Sequence, residues 1–89
     1  MKPDQTHRTQ TGVRLSTPML KTLKALAEYT DLSLGDLLEG IVLHAFEGRD
    51  PFSPQTHAVI EQLRAVYGCD WRAADSHLHP EPPDACSEP

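Results

Sequence analysis

What this chain lacks narrows it first. No stretch approaches the roughly 20 consecutive apolar residues of a membrane span. The opening MKPDQTHRTQTG has no apolar core of the kind a secretion signal carries, so a cytoplasmic location is expected. Cysteine is limited to Cys69 and Cys86, too few for a disulfide framework and in keeping with a reducing compartment. With His77 and His79 they form C-x7-H-x-H-x6-C, four residues of zinc-ligand type. That spacing matches none of the usual short zinc knuckles and lies in a proline-rich segment, so these read as incidental polar residues rather than a metal site. There is no phosphate-binding glycine loop, nucleophile motif or carboxylate constellation, and His44 reads as a rim histidine of a helix. Neither an enzyme nor a cofactor is expected. Positive charge is also short: eight Lys and Arg face 13 Asp and Glu, a net charge of −5, which argues against a general polyanion binder.

The charge that is present is unevenly placed. Residues 1–24 hold Lys2, Arg8, Arg14, Lys21 and Lys24 against Asp4 alone, while the remaining chain holds three arginines against twelve acids. Such asymmetry marks a candidate nucleic-acid-facing end. At 89 residues the chain is one small domain, of the size that often needs a partner subunit to complete its core.

Four regions follow from the pattern. Residues 1–9 read as a flexible basic arm. From residue 10 the alternation of Thr11, Val13 and Leu15 with Gln10, Gly12, Arg14 and Ser16 predicts a short half-buried strand. Ser16 and Thr17 then offer capping oxygens and Pro18 suits a first helical turn. Leu20, Leu23, Leu26 and Ala27 continue at helical spacing to about Thr30-Asp31. Ser33 caps a second helix with Asp36 three residues on. Its apolar face, Leu34, Leu37, Leu38, Ile41, Val42, Ala45 and Phe46, runs unbroken to Gly48. Residues 49–79 hold a break, RDPFSP, and a third amphipathic helix capped by Ser53, lined by Val59, Ile60, Leu63, Val66 and Tyr67 and ended by Gly68. Residues 80–89 contain four prolines and read as a disordered tail.

A lone strand cannot satisfy its own backbone donors and acceptors, and no other segment reads as a strand. The second helix carries more apolar surface than the first can cover. A homodimer answers both needs: strand pairs with strand about a two-fold axis, and the helices enclose a shared core. Burying some five large side chains of the second helix contributes on the order of 10 kcal/mol per chain before entropy is subtracted.

The order strand–helix–helix, with VRLSTPML followed by YTDLSLGDLLEGIVLHAF, resembles the ribbon–helix–helix family of DNA-binding proteins over residues 10–48. The expected fold is therefore mainly α: an intertwined ribbon–helix–helix homodimer with an additional C-terminal helix. The resemblance implies a paired ribbon in the major groove of double-stranded DNA, with Gln10, Gly12 and Arg14 facing base edges. Arginine can bond bidentately to guanine and glutamine to adenine. It implies phosphate contact at the N-terminus of the second helix, at Ser33, Leu34 and Gly35, where Asp36 departs from the favourable pattern. Lys21, Lys24 and Arg8 are flanking candidates. The implied dimer core is Val13, Leu15, Leu23, Leu37, Leu38, Ile41, Val42 and Phe46.

The expected function is a cytoplasmic, nucleoid-associated transcriptional regulator, a repressor, with dimers side by side on DNA as a further step. Two other readings stand beside it: an antitoxin with a C-terminal toxin-binding segment, and a dimerisation scaffold that does not bind DNA. The third helix accordingly either packs back on the dimer or docks another protein through Val59, Leu63, Tyr67 and Trp71.

Overall fold

The computed structural model describes residues 7–78, and among these every regular element is helical. The first helix, α1 (Thr17–Thr30), starts where Ser16 Oγ accepts the Met19 N–H at 3.3 Å and Pro18 occupies the first turn. It ends at Asp31, whose φ of 63° and ψ of 38° place it in the left-handed region that Asp tolerates better than most residues. The second, α2 (Leu34–Phe46), is capped by Ser33, whose Oγ accepts the Asp36 N–H at 3.1 Å. Gly48 follows it at φ 71°, and the Arg49 N–H closes on the His44 carbonyl at 2.8 Å. The third, α3 (Pro54–Tyr67), is capped by Ser53 and stopped by Gly68 at φ 70°. A single 3-10 turn, Ala73–Asp75, lies beyond it.

The expected strand is absent. Residues 7–16 run from the start of the described chain to the α1 cap without regular secondary structure. The ribbon–helix–helix architecture is corrected accordingly: the described chain is an all-helical three-helix unit, with no ribbon to enter a groove. The reason is physical. A strand exists only against a partner edge, and among the described residues no second extended segment supplies one. Val13 and Leu15, expected on the inward side, are 73% and 38% exposed. The Lys2 end of the arm and the tail from residue 79 lie outside the described residues.

The core sits where α1 meets its neighbours. Leu26, Ala27 and Leu37 are its buried apolar members. Leu23 of α1, Ile41 of α2, Phe52 of the α2–α3 connection, and Ile60 and Leu63 of α3 pack around them. α1 lies against α3 more extensively than against α2. The third helix is thus part of the core rather than an addition outside it. Thr22, also buried, donates its hydroxyl to the Pro18 carbonyl at 2.9 Å, so no polar group is left stranded there.

The apolar surface of α2 splits into two stripes. Leu37 and Ile41 face the core, whereas Leu38, Val42 and Phe46, spaced by four residues, follow another side of the helix. Phe46 is 80% and Leu43 60% exposed. Leu37→Ala is expected to remove about 2–4 kcal/mol, a large share of the stability of so small a core. Val66→Ser on the solvent side of α3 should stay within about 0.5 kcal/mol. Thermal and urea unfolding followed by circular dichroism checks both.

Candidate nucleic-acid interface

Gln10, Gly12 and Arg14 lie on the extended segment before α1, all exposed. A Cβ added at Gly12 would meet nothing within 4 Å, so that position is open to solvent. Lys21 and Lys24 follow on α1, exposed and three residues apart, hence neighbours on one helical face.

Pairing separates these cations from the rest. Arg8 bridges two carboxylates, Asp36 Oδ1 and Glu39 Oε1, each at 2.9 Å. Arg49 lies 3.8 Å from Glu47, and Arg64 and Arg72 share Glu61 at 3.0 and 3.4 Å. Among the described residues, only Arg14, Lys21 and Lys24 have no carboxylate within ion-pair distance. All three sit within eleven consecutive positions, 14 to 24. The unneutralised positive charge of the described chain is therefore confined to the segment before α1 and its opening turns.

The N-terminus of α2 presents a different picture from the one expected. Ser33, Leu34 and Gly35 are there, with Ser33 and Gly35 exposed and open space beside Gly35. The first turn of a helix leaves N–H groups without intrahelical partners and favours an anion. Here the protein supplies its own anion. Asp36 stands in that turn, and its carboxyl is held below the usual range, first by the hydrogen bond from Arg8 and then by that of Ser33. The Arg8 guanidinium is correspondingly held above its ordinary value by the Asp36 hydrogen bond and the Glu39 charge. Arg8, expected to face phosphate, instead faces α2.

Of the implied dimer-core residues, Leu37 is buried, Leu23, Leu38 and Ile41 are half-buried, and Val13, Leu15, Val42 and Phe46 are exposed. The segment 9–13 with Leu15 lies along a cleft whose other walls are Leu20, Leu34, Gly35 and Leu38.

At the other end, Leu63 packs on the core and Val59 is half-buried, while Tyr67 and Trp71 remain 38% and 56% exposed. Arg64, its side chain 13% exposed, donates from Nε to the Cys69 carbonyl at 3.0 Å and from Nη2 to the Trp71 carbonyl. That clamp fixes the turn after α3. Cys69 is half-buried and His77 exposed, whereas His79 and Cys86 lie outside the described residues. Among the described residues no group of three or more His, Cys, Asp or Glu could hold a metal ion, and no helix is long and apolar enough to cross a membrane.

Two features went unread in the sequence. One is the Arg8 clasp, which joins positions 28 residues apart and so leaves no local spacing to notice. The other is the α2–α3 connection. Asp50 accepts the Phe52 N–H at 3.0 Å and binds His57 Nε2 at 2.6 Å, with Phe52 and His57 rings edge to face at 5.8 Å. The Asp50-Pro51-Phe52 order, an acid two residues before an aromatic, was the available signal.

These contacts set an acid limit. Asp36, Asp50 and Glu61 are all held below their ordinary values, Asp50 chiefly by the Phe52 N–H and Glu61 chiefly by Arg64. A carboxylate lowered by folding contributes stability that is present above its unfolded value, about 4, and lost as pH falls through the lower folded value. Stability should therefore be flat from neutral pH to about 5 and decline below about 4. In Asp50→Asn the decline should be shallower, as read from thermal midpoints across pH. Comparison with protein-family models, with curated proteins and with solved structures finds no match to this chain.

Proposed function

We propose that this chain is a homodimeric, sequence-specific DNA-binding regulator, a repressor of transcription, that meets DNA with its N-terminal half. One observation carries the reading: Arg14, Lys21 and Lys24 are the lysines and arginines without a carboxylate partner among the described residues, and they fall within eleven consecutive positions. Unpaired cations are free to displace counterions from a phosphate backbone. Arg14 and Gln10 sit on an extended, exposed segment, where a guanidinium and an amide have reach for base edges. Lys21 and Lys24 take the role of phosphate contacts, positioning without specifying. Three cations per chain are few. Association of two copies doubles them, and the exposed Val42, Leu43 and Phe46 of α2, beside half-buried Leu38, are the apolar surface that favours association.

A second reading has its own support. Val66, Tyr67 and Trp71 stay exposed while Arg64 holds the turn that carries Trp71. A rigid aromatic of this kind suits a protein partner, as in an antitoxin-like or scaffold role. A toxin-like gene adjoining this one would favour it over repression.

Binding of the full chain to promoter DNA of its own gene, by anisotropy or gel shift at stated salt, tests the first reading. Arg14→Ala should lose about 1–3 kcal/mol of preference for the operator over unrelated DNA, with an unchanged sedimentation coefficient. Lys21→Ala with Lys24→Ala should weaken binding to all sequences alike and reduce the salt slope by about two per chain. Retained preference in Arg14→Ala, or a chain that sediments as a single subunit on and off DNA, overturns it.

A further inference from the structure

We infer that residues 7–16 act as a latched strap: Asp36 and Glu39 hold Arg8 against α2, and a phosphate backbone competes with those two carboxylates for the guanidinium, so that the strap opens as DNA binds. The inference rests on the DNA-binding reading above and adds to it a self-inhibiting contact.

The clasp has the form of a two-point tie. Nη1 of Arg8 reaches Asp36 and Nη2 reaches Glu39, each at 2.9 Å. The two carboxylates stand three residues apart on α2 and so occupy one face of it. The clasp is also the sole polar tie of the segment: among the described residues, no other hydrogen bond joins residues 7–15 to any helix. Val13, 73% exposed, adds little adhesion, and Leu15, 38% exposed, is the more covered of the two. The remainder of the segment merely lies along the cleft beside Leu20, Leu34 and Leu38.

Such a tie is suited to release. A guanidinium presents the same fork of N–H groups to a carboxylate as to a phosphate, so Asp36 and Glu39 occupy the place a phosphate would take. All three side chains are between 46% and 59% exposed, and ion pairs of that exposure are weak and screened by salt. While the clasp is closed, Arg8 is unavailable to DNA. Once Arg8 leaves, Asp36 and Glu39 are uncompensated and repel phosphate from the N-terminus of α2. Both effects oppose binding, and both originate in the same two carboxylates.

The test uses the full chain and the neutral variant Asp36→Asn with Glu39→Gln, alone and combined with Arg8→Ala. Two readouts are taken. The first is the rate of trypsin cleavage after Arg8, followed by mass spectrometry, which needs no DNA. The neutral variant should be cleaved about threefold faster than the wild-type chain. The second is affinity for a random-sequence duplex at low salt. Neutralisation should tighten binding by about threefold or more when Arg8 is present, and by distinctly less in the Arg8→Ala background, where only the general loss of negative charge remains. An equal gain in both backgrounds, or unchanged cleavage after Arg8, overturns the strap. If no variant binds DNA, the regulatory reading fails, and cleavage alone decides whether the clasp holds the segment.

Discussion

The contact among Leu26, Ala27 and Leu37 is the constraint on which the remainder depends. Leu26 and Ala27 are consecutive, so they point about 100° apart around α1, and that divergence lets one helix serve two neighbours. Leu37 closes one side from α2, and Ile60 and Leu63 of α3 pack around the same cluster. The small side chain of Ala27 permits close approach. Every other feature is placed by reference to this junction. The α1 cap at Ser16 ends the N-terminal segment there, the Asp31 turn sets the start of α2, and the Asp50–His57 contact steers Phe52 back onto the cluster.

Charge is distributed around that junction by pairing as much as by composition. The acidic C-terminal two-thirds uses its arginines internally: Arg64 and Arg72 share Glu61, and Arg64 also ties down the turn carrying Trp71. Arg8, although it belongs to the basic end, is drawn into the same pattern by Asp36 and Glu39. What remains without a carboxylate partner among the described lysines and arginines is Arg14, Lys21 and Lys24. A net charge of −5 therefore conceals a small basic surface, and the functional proposal turns on that surface rather than on the total.

The parts of this molecule that could be read from sequence are the local ones. Helix limits depend on residues within one turn of each end. Ser16, Ser33 and Ser53 as caps, with Asp31 and Gly68 as left-handed stops, stand where the pattern placed them. The strand did not survive for the opposite reason. Alternation of Val13 and Leu15 with Gly12 and Arg14 is compatible with pairing but does not supply a partner, and strand formation is a property of two segments. The Arg8 clasp was invisible on the same principle. Amphipathicity announced that α3 has an apolar side, yet nothing local says that α1, rather than a second copy or another protein, would cover it. Among the candidate site residues, exposure at Gln10, Gly12 and Arg14 was foreseeable, whereas the pairing of Arg8 with Asp36 and Glu39 of α2 was not.

The second stripe of α2 gives the proposed dimer a physical character. Leu38, Val42, Leu43 and Phe46 would each contribute about 1.5–3 kcal/mol on full burial, and a symmetric interface counts them twice. Against this stands an association cost of about 4–15 kcal/mol, together with the ordering of side chains that are free in the single subunit. The two ranges overlap, so the proposed pairing would depend on concentration. A fold whose own core has three buried apolar members has little stability in reserve, so folding and pairing become linked equilibria. Under the proposed function that linkage matters. A repressor that assembles only as its own concentration rises responds to its abundance without any effector, and the strength of that response lies in how completely Phe46 and Val42 are covered.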